Sequence, residues 1–289
     1  MTGPPATFAC LWCGRSWTTR SPDDLEGWAR LCPDCLGRAG ENEFLRFRLR
    51  DALAARSATD SAGRPAGEAD LVAYYQARAP EYDDWYLRRG RYERGPIHDA
   101  AWNAELDGAG TWLDSLPISG EIVELAAGTG WWSPLLASKG ELSLYDAAEA
   151  PLERARERLL AHRLRAHIHV RDAWAEPDRA VDALVCGFWL SHVPRQRTAE
   201  FLDLARRWLK PGGLFAFIDS LPDPQSGAAD QSPPADDLAV RRLVDGREFT
   251  IVKVYREPAE LEKALIAAGF STPRVTTTGR FFVLGQASH

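Results

Sequence analysis

Four of the chain's five cysteines fall in two short stretches near its start, "CLWCG" and "LCPDC". Cys10 and Cys13 form one Cys-x2-Cys pair and Cys32 and Cys35 a second, with eighteen residues between the pairs. That is the spacing of a zinc ribbon. Each tight turn offers two thiolates, and two turns close a tetrahedron with bonds of about 2.3 Å. With all four positions taken by protein, no place stays open for a catalytic water, so the expected ion is structural. The alternative is four thiols without metal, able to form disulfides on oxidation. In a reducing compartment, closely paired cysteines mark metal more often than disulfides.

A second stretch, "EIVELAAGTGWW", suits different chemistry. An apolar strand ends in Glu124, after which Gly128 and Gly130 let the chain turn tightly beneath a ligand. Sixteen residues beyond Gly130, the strand "ELSLYD" ends in Asp146. An acid at such a position can accept both ribose hydroxyls of an adenosine. Asp172, in "VRDAW", ends the next strand. Acids after three successive strands would surround a nucleoside whose far end carries an amine. His192, in "GFWLSHVP", and His98, in "GPIHDAAW", are the candidate bases. Asp219 ends a further strand. Arg247 and Lys253, in "DGREFTIVKVY", suit either an anionic substrate or a solvated face, and the solvated face is expected. Cys186 sits in an apolar run and reads as a buried packing thiol.

These residues need a scaffold that gathers strand ends on one side. From about residue 120 strands and helices alternate, which argues for a parallel sheet. Strands are expected over 121–125, 141–146, 166–171, 181–187, 214–219, 271–278 and 280–286, and helices over 131–138, 148–161, 198–209 and 258–268. Residues 219–237, "DSLPDPQSGAADQSPPADD", read as a polar excursion after a strand. Ahead of the alternation lie aromatic helices over 68–118, a small-residue linker over 57–67, and a helix over 41–55 that leaves the ribbon. The expected division is therefore 1–56, the ribbon with its helix, and 68–289, the larger domain.

Composition excludes some partners. The 289 residues carry a formal net charge of −6, which favours neither nucleic acid nor an anionic membrane. Between residues 1 and 60, eight basic residues face eight acids, so the ribbon lacks the excess charge of a phosphate-tracking surface. Arg46, Arg48 and Arg50 could still form a local patch. Trp12, Trp17 and Trp28 could stack on bases, although building the ribbon's small core is the expected use. No stretch approaches the roughly 20 apolar residues of a membrane span, and the N-terminus has no signal-peptide pattern. A cytoplasmic protein is expected.

Taken in order, "ELAAGTG", Asp146, "RDAW", "VDALVCGFWLSHVP" and "LKPGGLFAFIDS" resemble the motifs of class I S-adenosylmethionine-dependent methyltransferases. The resemblance covers roughly residues 70–289. It implies an α/β, doubly wound Rossmann-like sheet with S-adenosyl-L-methionine as cofactor. It also implies that the Gly128–Gly130 loop lies under the methionine part, with Glu124 ahead of it. Ala126 stands where the family often has its first glycine. By the same likeness Asp146 holds the ribose, Asp172 faces the adenine N6, and Ala173, Trp174 and Phe188 line the cofactor pocket.

Within the class, the chain is most similar to small-molecule methyltransferases of the ubiquinone/menaquinone-biosynthesis type. "YYQARAPEYDDWY" matches the aromatic segment such enzymes place over the cofactor, with Tyr82 the first candidate among Tyr74, Tyr75, Tyr82 and Trp85. A nicotinamide dinucleotide is the rival cofactor, because "GTGWWS" is one residue from its fingerprint. Glu124, "LKPGG" and the bulk of Trp131 and Trp132 argue against it. The expectation is methyl transfer to a small or medium molecule in a biosynthetic pathway, with a structural zinc and with a homodimer as one use of the ribbon. Modification of ribosomal or transfer RNA is the alternative, since some ribosomal-RNA guanine methyltransferases carry an N-terminal zinc module. A non-enzymatic, nucleoside-sensing module is the third reading.

Overall fold

The structure is a computed structural model that describes residues 7–19, 29–38, 42, 45, 69–231 and 233–289. The chain divides into two compact units, Met1–Pro65 and Ala66–His289. The linker expected over 57–67, and the helix over 41–55 apart from Asn42 and Leu45, lie outside the described residues.

In the first unit, β1 (Thr7–Ala9) and β2 (Ser16–Thr18) form an antiparallel hairpin. A short helix α1 (Pro33–Gly37) follows, opened by a proline whose fixed φ suits a first helical turn. Its small core contains Cys10, Ala29, Leu31, Cys32, Cys35 and Leu45, with Trp17 packed against it. Trp12, expected in that core, is instead exposed, and Trp28 lies outside the described residues.

In the second unit a cover of helices precedes the sheet: α2 (Ala69–Arg78), α3 (Asp83–Tyr86) and α4 (Pro96–Ser115). The alternation then runs β3 (Gly120–Leu125), α5 (Ser133–Ala137), β4 (Gly140–Asp146), α6 (Glu149–Ala161), β5 (His167–Val170), β6 (Val181–Gly187), α7 (Thr198–Arg207) and β7 (Leu209–Ser220). A hairpin of β8 (Leu238–Arg242) and β9 (Glu248–Val252) is followed by α8 (Pro258–Ala267), β10 (Ser271–Thr277) and β11 (Phe282–Ser288). The seven-stranded sheet has the order β10-β11-β7-β6-β3-β4-β5. Strands β3 to β7 are parallel, and β11 is antiparallel to both of its neighbours.

The central strands are nearly continuous apolar runs, as expected of parallel strands covered on both faces. Alternate residues feed two cores. Val123, Leu125, Leu184, Cys186, Phe215 and Phe217 join the core that includes Phe201 of α7 and Leu265 of α8. Ile122, Ala183, Val185, Ala216 and Ile218 join the other, with Trp102 of α4, Leu136 of α5 and Leu159 of α6. This is a doubly wound Rossmann-like sheet. From β3 the chain winds outward through β4 and β5, then returns to the other side of β3 as β6. The ends of β3 and β6 therefore flank a topological switch point, where open α/β sheets bind ligands.

The hairpin of β8 and β9 was not among the expected strands. Its turn is Asp245–Gly246, with Gly246 at φ 88°, between two β-rich runs. That Asp-Gly pair is a hairpin signal present in the sequence.

Candidate active site

At the switch point the chain leaves β3 through three left-handed residues: Ala126 (φ 51°), Gly128 (φ 55°) and Gly130 (φ 69°). Gly130 has no room for a side chain, since a Cβ there would lie 2.7 Å from that of Ala155 on α6. At Gly128 a Cβ would meet only the Tyr82 ring, 3.8 Å away. Tyr82 thus lies across the loop from a bare stretch of backbone. Ala126 carries a strain of about 1–2 kcal/mol that a glycine would lack. Phe188, the first residue after β6, is left-handed as well (φ 59°). Strained non-glycine residues collect at functional sites, and these two stand on either side of the crevice.

Carboxylates complete this wall. Asp146 Oδ2 accepts the Gly128 N–H at 2.8 Å, and Oδ1 accepts that of Ala148 at 2.8 Å. Desolvation nevertheless pushes its carboxyl up to about 6, only partly offset by those two donors. Glu124 is fully buried and accepts the Ser133 hydroxyl at 2.5 Å; desolvation pushes it up to about 7. Asp172 accepts the Trp174 N–H at 3.0 Å, a turn that fixes "RDAW" at the end of β5. Ala173 is buried, and the Trp174 ring lies under the Arg197 guanidinium, 3.7 Å from its carbon.

Beyond Tyr82 and Phe188 opens a narrow cleft, with a cavity volume of about 70 Å³. Helix α2 gives it Tyr75 and Arg78, the turn after β6 gives His192, and the hairpin gives Arg241 and Lys253. His192 is buried. Its Nδ1 lies 2.7 Å from the Val252 carbonyl, which can only accept, so Nδ1 carries the proton. Nε2 then accepts the Tyr75 hydroxyl at 2.7 Å. Burial first, and the nearby Lys253 next, hold the imidazole well below its ordinary pKa, so it is neutral at pH 7. The segment after β7 closes one side of the cleft. Arg88 donates to the carbonyls of Ser226 (3.1 Å) and Gln225 (2.7 Å), and Trp85 Nε1 donates to Ser226 at 2.9 Å.

A family model described as "Methyltransferase domain" matches residues 122–213. The "Ubiquinone/menaquinone biosynthesis C-methyltransferase UbiE" of Coxiella burnetii is 35% identical over 106 residues, 34% of this chain. The match spans 42% of that relative's length. Among solved structures, a DhpI-SAM-HEP complex is 32% identical with a TM-score of 0.60, covering 75% of this chain and 95% of that one. The DhpI-SAH complex is 31% identical with a TM-score of 0.59, covering 75% and 93%. The PH0226 protein of Pyrococcus horikoshii, 16% identical with a TM-score of 0.53 and covering 72% and 98%, shares the fold. The chain belongs to the class I S-adenosylmethionine-dependent methyltransferases.

In this member of the family, Glu124, Ala126, Gly128, Gly130 and Asp146 form one wall with Tyr82 facing them and Phe188 alongside. Asp172, Ala173 and Trp174 stand at the neighbouring strand end, which the Arg171 N–H ties to the Asp146 carbonyl at 2.8 Å. Trp131 and Trp132 serve packing. Trp131 stacks on Tyr86 at 4.1 Å, and Trp132 fills the space beside Gly187. His98 does not line the cleft: it is buried in the first turn of α4, edge-on to Phe281 and 3.3 Å from Asp99. Asp219 is buried and accepts the N–H groups of Ser191 (2.8 Å) and Ser220 (2.7 Å). Cys186 is a buried thiol whose pKa burial raises.

The pair expected on a solvated face separates. Arg247 does lie on the surface, paired with Asp245 at 2.6 Å, but Lys253 turns into the cleft with its side chain 10% exposed. Alternation through "TIVKVY" explains the difference, since Ile251, Lys253 and Tyr255 share one side of the chain and line the cleft together. Arg78 and Arg241 were missed. Each looks like an ordinary surface arginine until α2 and the hairpin meet.

In the first unit the sulfur atoms of Cys10, Cys13, Cys32 and Cys35 all lie within 4.8 Å of one another, with Cys13 and Cys32 3.7 Å apart. None is in a disulfide. The Cys32 N–H donates to Cys10 Sγ at 3.3 Å.

Proposed function

We propose that this chain transfers a methyl group from S-adenosylmethionine to a small molecule in a biosynthetic pathway, and that a structural zinc holds its N-terminal ribbon. The observation that carries the reading is the left-handed loop with Asp146 at its base. Asp146 has backbone donors on both oxygens yet keeps a raised pKa, so its carboxylate would gain from two further hydroxyl donors such as a ribose supplies. Gly128 turns bare backbone toward Tyr82, whose ring stands 3.8 Å from where a Cβ would be, so a side chain there would crowd the ring. Bound there, the cofactor supplies an electrophilic methyl carbon, which needs orientation and dehydration more than activation. The biosynthetic setting draws support from the name of the Coxiella burnetii relative.

His192 serves the acceptor side. In its neutral form, with Nε2 as the basic nitrogen, it holds the Tyr75 hydroxyl in one orientation. An acceptor O–H or N–H that donates to the Tyr75 oxygen can pass its proton toward Nε2. Tyr75 itself stays protonated, because burial raises its pKa well above the ordinary value.

The cysteine cluster fits zinc. Bonds of about 2.3 Å give a tetrahedron with edges of about 3.8 Å, near the 3.7 Å between Cys13 and Cys32. Among the described residues no helix is long and apolar enough to cross a membrane.

Calorimetry with S-adenosylhomocysteine tests the cofactor reading. We expect saturable binding by the wild type, weakened by about 1.5–3 kcal/mol in Asp146→Ala for the loss of charge-assisted hydrogen bonds. Equal affinity in the variant, or tighter binding of a nicotinamide dinucleotide, would overturn it. Metal analysis should find about one zinc per chain, lost in Cys32→Ser.

A further inference from the structure

The cleft beyond Tyr82 gathers cations. Arg78, Arg241 and Lys253 line it together with no aspartate or glutamate, in a chain whose formal charge is −6. Arg241 makes no side-chain hydrogen bond or ion pair among the described residues. Arg78 is 8% exposed, lies 4.5 Å over the Tyr82 ring and donates to the Tyr92 hydroxyl at 3.3 Å. Its Nε has no partner among the described residues. Lys253 donates to the hydroxyls of Ser191 (2.8 Å) and Ser220 (3.3 Å). Its nearest carboxylate, Asp219, is 3.9 Å away and already holds two backbone N–H groups. The buried Ser226 hydroxyl on the opposite wall is likewise unpartnered among the described residues.

Such a set is unfavourable without a ligand. Like charges repel strongly in a cleft partly closed to water, and unmatched buried donors add to the cost. Burial has already brought Lys253 down to about 8, so the site strains toward losing that charge. Two other buried arginines of the same unit direct their terminal nitrogens at carbonyl oxygens: Arg88 at those of Ser226 and Gln225, beside Asp99, and Arg256 at those of Leu190 and Val193. Arg78, Arg241 and Lys253 lack such matching, and they converge on the cavity.

We infer that the acceptor carries a compact oxyanion, a phosphate, phosphonate or carboxylate group, held by Arg241, Lys253 and Arg78. The inference rests on the cleft being the acceptor side of a methyltransferase. The anion anchors the acceptor, and the remainder of the molecule reaches toward Tyr75 and the Tyr82–Phe188 wall. Discrimination then comes from charge: a neutral analogue of the same shape leaves three cations uncompensated.

The test uses the full chain saturated with S-adenosylhomocysteine, titrated at constant ionic strength with inorganic phosphate and, separately, with acetate. Chloride serves as the control. We expect saturable binding of one of the two anions, weakened roughly tenfold or more in both Arg241→Gln and Lys253→Met, with S-adenosylhomocysteine affinity unchanged in each. That unchanged affinity also reports that the variants are folded, and Arg241→Gln, which breaks no side-chain hydrogen bond among the described residues, guards against a failure of Lys253→Met to fold. The preferred anion identifies the group. If S-adenosylhomocysteine binds but neither anion does, or if both variants bind them as wild type does, the anion site is wrong and the methyltransferase reading stands. If S-adenosylhomocysteine itself fails to bind, the methyltransferase reading falls, and this inference with it.

Discussion

On the proposed cofactor side of the site, the groups that would face a ligand include much backbone, held by left-handed turns directly after parallel strands. Ala126, Gly128 and Gly130 follow β3, Phe188 follows β6, and Asp146 is pinned by two N–H groups. On the proposed acceptor side they are side-chain tips delivered by elements far apart in the chain: Arg78 from α2, His192 from the turn after β6, and Arg241 and Lys253 from the hairpin. Backbone set by sheet geometry varies little, whereas side chains on covering elements can be exchanged without disturbing the sheet. A fold can therefore keep one cofactor and change its acceptor.

The most severe way to break the contrast is to put a side chain where the cofactor side has none. Gly130→Val adds left-handed strain to a branched residue and a Cβ only 2.7 Å from Ala155. We expect a loss of about 2–5 kcal/mol in urea unfolding, with S-adenosylhomocysteine binding abolished. A stability within 1 kcal/mol of wild type, roughly the error of such comparisons, would show that the loop is not fixed by its packing on α6.

The same contrast explains what could be read from the sequence. "ELAAGTG", Asp146 and "RDAW" are local: strand, turn and acid lie within a few residues, and their spacing carries their geometry. The two cysteine turns are local too. Every strand expected of the large sheet is found within a few residues, because apolar runs alternating with helices leave few arrangements. Arg78 and Arg241 carry no such mark. They are separated by more than half the chain and become a pair only when α2 packs beside β9. Lys253 reads as a surface residue until the Asp245–Gly246 turn folds its strand into a hairpin and sets it beside Ser191 and Ser220. His192, expected at the rim of the sheet, does meet Tyr75 there, whereas His98, expected to enter from the helical cover, packs under Phe281.

A subtler break separates the sides functionally. His192→Ala should leave S-adenosylhomocysteine affinity nearly unchanged and lower turnover by roughly 10²-fold, the range of a lost general base. Tyr75→Phe should do the same if the proton passes through the hydroxyl. The pH profile has a definite sign. His192 must be neutral to accept a proton, and burial holds its pKa well below 6.5, so the wild-type rate should stay level as pH falls from 7 and drop only below the ordinary histidine range. A limb centred at 6.5 or above would mean that another group titrates.

The smallest effect tests whether backbone strain on the cofactor side has a measurable cost. Ala126 sits at φ 51° directly after β3, where an L-residue is disfavoured by about 1–2 kcal/mol. Glycine relieves that strain but gives the unfolded chain more freedom, which costs about 0.5–1 kcal/mol. The difference leaves Ala126→Gly more stable by roughly 0.5 kcal/mol in urea unfolding. Gly128→Ala makes the reverse exchange at φ 55°, where the added methyl has only the Tyr82 ring at 3.8 Å for a neighbour. Its stability should fall by a similar roughly 0.5 kcal/mol, so the two variants should move in opposite directions. Only Gly128→Ala narrows the space opposite Tyr82, so only it should also weaken S-adenosylhomocysteine binding. If both variants weaken binding alike, loop strain rather than open backbone governs that side, and the division between a backbone-built wall and a side-chain-built wall fails.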